Sequence, residues 1–138
     1  MEEPEEESVA LPLVHVLISE EFFWNKVSNA LVGLEREPRC PDWEGDVKSQ
    51  ILANPGVALV ADLEEVRIDT LNLISQLRQE EGIPDLPMLG YCSHEKSELL
   101  DAAKALGLEV IPRSTFAASL VRVLNDLKLE PDENIEEE

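Results

Sequence analysis

The residues able to do chemistry gather at four places, each just past a short apolar run. Ser19, Glu20 and Glu21 follow one run; Asp62, Leu63 and Glu64 a second; Cys92, Ser93 and His94 a third; Pro112, Arg113 and Ser114 a fourth. Brought together they supply several carboxylates, a hydroxyl or thiol, and one cation. Hard oxygen ligands clustered in this way can hold Mg²⁺, which takes carboxylates plus waters. A carboxylate beside Mg²⁺ can act as a nucleophile toward phosphorus. The bland alternative is that strand ends are polar because they meet water. Other chemistries find less support. The "EEFFW" after the first run is bulky and acidic, not the Gly-rich cradle of a dinucleotide or nucleoside triphosphate site. No Gly-x-Ser-x-Gly elbow occurs. "CSH" (92–94) has the look of a nucleophile and a base, but adjacent residues need not face each other and nothing orients His94. An enzyme or cofactor binder is therefore the weakest reading.

The positioning elements follow from hydrophobic period. "LVHVLIS" (13–19) is a short β-branched run and reads as a buried strand. His15 inside it has no partner by spacing and reads as structural. Residues 20–37 switch to helical period, with Phe23, Val27, Ala30, Leu31 and Leu34 on one face. Glu20 and Glu21 suit the positive end of the helix dipole, and Pro38 and Pro41 end the pattern. Residues 38–46 show no strand character. A short helix is predicted over 46–53, with Val47, Ile51 and Leu52 inward, and "NPG" (54–56) is a turn. "VALVA" (57–61) is the next strand and stops at Asp62. A helix over 68–81 carries Ile68, Leu71, Ile74 and Leu77, with Gly82 as its C′ residue and "IPDLP" as a loop. "MLGYC" (88–92) is a strand, Ser93 an N-cap, and 94–106 a helix with Leu99, Leu100, Ala103 and Leu106 inward. After Gly107 come a last strand, 108–112, and an amphipathic helix, 114–129, with Phe116, Leu120, Val123, Leu124 and Leu127 on one face. Apolar strands alternating with amphipathic helices imply a mostly parallel sheet covered on both faces. In such a sheet the functional crevice lies beyond the carboxyl ends of the strands, which is where the four polar groups sit.

Charge narrows the partners. The net charge is −19, and the termini concentrate it: five acids in "MEEPEEES" and six in "EPDENIEEE", with no Lys or Arg in either. Removing those eleven leaves −8 for the middle. Residues 1–11 and 130–138 thus have the composition of disordered, solubilising tails around one domain, 12–129. An acidic body with acidic tails argues against nucleic acid, whose phosphates it would repel. No apolar run reaches the ~20 residues that span a bilayer, and no secretory signal opens the chain, so a cytoplasmic protein without a membrane partner is expected. Cys40 and Cys92 form no metal spacing and read as free thiols in a reducing compartment.

These residues carry a resemblance. Over about 12–129, and best in "GVALVADLEE" and "PMLGYCSHEKSELLDAAKALGLEVIPRSTF", the chain resembles the receiver (CheY-like) domain of response regulators. The resemblance implies a flavodoxin-like (βα)5 three-layer sandwich with a parallel sheet of order 2-1-3-4-5. The second strand, barely recognisable in "RCPDW", is expected to be short or missing. Asp62 matches the place of the phospho-accepting aspartate at the end of the third strand. In an active receiver Glu20, Glu21, Asp62 and Glu64 would be the metal-binding candidates, for Mg²⁺, and Cys92, Ser93 and Arg113 would contact the phosphate.

The departures from the family's pattern are chemical. Ser19 stands where one of two adjacent metal acids is usual, and the longer Glu20 takes the place of the other. Cys92 takes the place of a hydroxyl and hydrogen-bonds more weakly. Arg113 replaces a lysine with a planar fork, and Ser114 replaces the proline after it. Glu64-Glu65 replaces a Met-Pro and adds negative charge beside the acceptor. Val110 stands where a switch aromatic is usual. Together these point to an atypical or pseudo-receiver. It would signal by binding protein partners, a histidine kinase or another signalling protein among them. Phosphorylation would not be obligatory, no cofactor would be required, and neither catalysis nor a small-molecule substrate is expected. The alternative is a working single-domain response regulator with Asp62 as acceptor. The resemblance places a partner face near Glu95, Glu98, Arg122 and Asn125. Trp24, off the main apolar stripe, and Trp43, in an irregular loop, read as edge packing, with a partner contact as the alternative.

Overall fold

The computed structural model describes residues 11–80 and 86–126. The expected tails apart from Leu11, and Gly82, most of the "IPDLP" loop and the end of the last helix, Leu127 included, lie outside the described residues. Five strands form one parallel sheet in the order β2-β1-β3-β4-β5. They are β1 (Leu13–Leu17), β2 (Glu37–Arg39), β3 (Ala58–Asp62), β4 (Met88–Cys92) and β5 (Glu109–Pro112). The helices are α1 (Glu21–Gly33), α2 (Val47–Ala53), α3 (Thr70–Arg78), α4 (Ser97–Ala105), α5 (Arg113–Ala118) and α6 (Leu120–Asp126). The parallel sheet is the one the alternating pattern predicts, and its flavodoxin-like order is the one the resemblance implies.

Two apolar layers sandwich the sheet. Leu17, Leu59, Ala61, Met88 and Cys92 pack with Val47 and Ile51 of α2, Leu73, Ile74 and Leu77 of α3, and Ala103 of α4. Val14, Val16, Val60, Leu89 and Tyr91 pack with Val27 and Leu31 of α1, Phe116 of α5 and Leu124 of α6. Side chains alternate between faces along each strand, so β1, β3 and β4, covered on both sides, must be apolar almost throughout. Trp43 and Trp24 are half-buried on the first and second layer respectively, as edge packing. Among the described residues no helix is long and apolar enough to cross a membrane.

Several boundaries differ from the sequence expectation. The first strand ends at Leu17, not residue 19, and Asp62 belongs to β3, paired with Tyr91. Residues 38–46 were expected to lack a strand, yet Pro38 and Arg39 lie in β2, opposite Val14 and His15. This short strand is an edge. Glu37 N–H donates to Pro12 O at 2.8 Å, so by alternation the Pro38 nitrogen, which has no hydrogen to give, faces away from β1.

Helix α1 stops at Gly33, four residues before the expected end. Glu35 takes a left-handed φ of 63°. Glu35 N–H reaches Val32 O at 3.0 Å and Arg36 N–H reaches Leu31 O at 2.8 Å. That is a Schellman C-cap with a non-glycine residue at C′. Helix α3 begins at Thr70, capped by the Asp69 carboxylate, so Ile68 precedes it. Ser93 does not cap α4. Its carbonyl accepts from Lys96 N–H at 3.0 Å and its hydroxyl from Glu95 N–H at 3.3 Å, closing a turn ahead of a helix that starts at Ser97.

The expected last helix is broken at Ser119, which has φ −125°. Phe116 before the break and Leu124 after it are both fully buried.

Candidate functional site

The carboxyl ends of β1, β3, β4 and β5 meet at one edge of the sheet. Asp62 is half-buried there. Its Oδ1 accepts from Glu64 N–H at 2.8 Å, and its carbonyl oxygen accepts from the buried Thr70 hydroxyl at 3.0 Å. Desolvation raises its pKa above the ordinary carboxylate value. The Glu64 N–H bond and Arg113 pull the other way, and Glu65 and Glu64 add to the rise. Leu63, next along, is 6% exposed and belongs to the core. It fits because residue 90 is glycine: a Cβ there would stand 2.9 Å from Leu63 Cδ2. Leu63 thereby anchors the β3–α3 loop at the start of the turn that carries the acids.

Glu64 and Glu65 have different jobs; the sequence marks both as added negative charge and Glu64 also as a metal-binding candidate. Glu65 is buried, at 8% exposure. Its carboxylate accepts from Ser19 N–H at 2.7 Å, from the Ser19 hydroxyl at 2.5 Å and from Arg67 N–H at 3.0 Å. It ties the β1–α1 loop to the β3–α3 loop, and Ser19 is its hydroxyl partner. Glu64 turns toward β4 and β5. Its Oε2 accepts from Ser93 N–H at 2.7 Å and from Arg113 Nη2 at 2.8 Å. The signal for Glu65 was its place, three residues past the strand, where a turn can swing a long carboxylate back across the sheet edge.

The other expected site residues are placed as follows. Glu20 caps α1: its carboxylate accepts from the Phe22 and Phe23 N–H groups, each at 3.1 Å. Glu21 is exposed in the first turn. Cys92 is fully buried in the first apolar layer, because a thiol packs as a small hydrophobe. Burial raises its pKa, and the Glu64 charge adds to this. The Cys92 side chain is thus part of the core, where phosphate contact had been expected, and only the neighbouring Ser93 amide reaches the site. His94 is exposed while Cys92 is buried, so the two do not form the nucleophile and base that "CSH" suggested.

The fit of Mg²⁺ can be tested on this donor set. The ion needs carboxylate oxygens converging with room for waters. Glu20 is turned onto its own helix, Glu65 is saturated by N–H and O–H donors, and Glu64 is held by Arg113. Among the described residues no three His, Cys, Asp or Glu side chains converge on one point. As arranged, these residues do not fit the ion.

No protein-family model matches the sequence, and no curated protein matches it significantly. Solved structures do match by shape. The chemotaxis protein CheY4 of Vibrio cholerae superposes with a TM-score of 0.71 at 14% identity, over 86% of this chain and 99% of its own. NtrX from Brucella abortus gives 0.70 at 20% identity, over 86% of this chain and 27% of its own. The phosphorylated cyanobacterial phytochrome response regulator RcpA gives 0.67 at 12% identity, over 83% and 89%. At these identities the likeness concerns the fold, and the fold is that of response-regulator receivers.

Proposed function

We propose that the chain is a receiver-like signalling module that acts through protein–protein interaction, with no obligatory phosphorylation and no cofactor. The observation that carries this reading is the Ser19–Glu65 pair. Where an active receiver is expected to offer an acid to a metal ion, this chain has a hydroxyl bonded to a buried carboxylate at 2.5 Å. A phosphoryl group on Asp62 would add charge beside Glu64 and Glu65 without a cation to offset it. The receiver fold of the structural neighbours supports a role in signalling, and protein partners such as a kinase are the class such folds serve. Glu95, Glu98, Arg122 and Asn125 are exposed and are the residues we would assign first to a partner face. The place of Asp62 at the mouth of the sheet favours a second reading, a working phospho-acceptor.

Incubation with acetyl phosphate and Mg²⁺, followed by intact-mass measurement, separates the two. The module reading expects an unchanged mass. A stable gain of one phosphoryl group, absent from Asp62→Asn, would establish the second reading instead.

A further inference from the structure

Two donors from different strands converge on one oxygen at the sheet edge. The Ser93 N–H, just after β4, and Arg113 Nη2, just after β5, both point at Glu64 Oε2, at 2.7 and 2.8 Å. A fixed backbone amide beside a guanidinium is the donor set that recognises an oxyanion such as phosphate. The acid that fills it is not a loose surface partner. Glu64 N–H is tied to Asp62 Oδ1 at 2.8 Å and Glu65 N–H to Asp62 O at 3.1 Å. With Leu63 buried on one side and Glu65 on the other, the Glu64 side chain has a short arc to sweep, and Arg113 lies within it.

We propose that Glu64 is an internal oxyanion: it occupies an oxyanion subsite formed by the Ser93 amide and Arg113, and holds the ends of β4 and β5 in a liganded arrangement. The inference rests on the functional reading above and supplies its mechanism, since a subsite that carries its own anion needs no external one. A tethered ligand competes at an effective concentration of at least about millimolar, and this one is pre-positioned as well. An external oxyanion must displace it and also meet its charge.

The test is a titration of orthophosphate, read by the Ser93 amide and Arg113 Nε–H signals in ¹H–¹⁵N spectra. Glu64→Ala is expected to give a saturable response at millimolar phosphate. The wild-type chain is expected to bind at least ~10-fold more weakly. Glu64→Ala combined with Arg113→Ala is expected to lose the response. Glu64→Gln, which keeps the side chain's size, serves if the alanine variant loses signal dispersion. An equal response in wild type and variant overturns the inference. So does a response that survives removal of Arg113, or none in either folded Glu64 variant. The functional reading fails separately. If wild-type Asp62 takes up phosphoryl from acetyl phosphate, that reading falls whatever the Glu64 variants do.

Discussion

Desolvation at the end of β3 raises the Asp62 pKa, while the Glu64 N–H bond and Arg113 offset part of the rise. An acid whose folded value is raised holds its proton more tightly in the native state. Stability therefore falls as pH rises from about 3.9, the ordinary carboxylate value, through the raised one, and the ionised group is a net cost at neutral pH. Asp62→Asn should raise the urea midpoint at pH 7, with the gain vanishing below about pH 4. A lowered midpoint at pH 7 would contradict this. His15 acts in the opposite sense. Its Nε2 lies 2.6 Å from Asn54 O and burial lowers its pKa, so the neutral imidazole donates this bond. The unfolded chain then binds more protons below about pH 6.5, and stability is lost as pH falls from there toward the lowered value. A ¹⁵N titration should place the His15 midpoint below the ordinary imidazole value of about 6.5. For Glu65, truncation to alanine leaves Ser19 N–H, Ser19 hydroxyl and Arg67 N–H without their acceptor. The expected loss is about 2–4 kcal/mol by chemical denaturation, whereas an exposed ion pair such as Arg39–Glu37 should give less than about 1.

At the scale of elements, two backbone positions set how β2 and β3 come alongside β1. Glu35 holds a left-handed conformation at the end of α1, which costs a residue with a Cβ about 1 kcal/mol or more. Glu35→Gly should recover about that amount and raise the melting temperature. Gly56 precedes β3 at φ 71°, and a Cβ there would fall 2.3 Å from Leu13 O. Gly56→Ala should therefore destabilise by about 2–3 kcal/mol. The same comparison shows what the sequence could reveal. β3 and β4 are legible because both faces are covered and the runs are apolar throughout. β2 is not, because an edge strand of three residues needs neither apolar character nor an N–H on each residue. The end of α1 is hidden because a glutamate does the work usually given to glycine. The break at Ser119 falls inside an unbroken amphipathic pattern, so hydrophobic period gives no sign of it.

For the molecule as a whole, the fold brings to one edge the four groups that the sequence marks. Their meeting place is legible, because strand ends in a parallel sheet must converge. Their partnerships are not. Spacing cannot tell that Glu64 turns toward Arg113 while Glu65 turns toward Ser19, or that Cys92 points into the core. The resulting site is a closed set of hydrogen bonds around Asp62, and the central claim is that this closure removes the need for a metal and a phosphoryl group. The most direct measurement is the ¹H–¹⁵N spectrum during Mg²⁺ and acetyl phosphate addition, watching Ser19, Asp62, Glu64, Ser93 and Arg113. The account predicts that these signals do not shift together in a saturable way. A saturable shift of the group, abolished by Asp62→Asn, would contradict it.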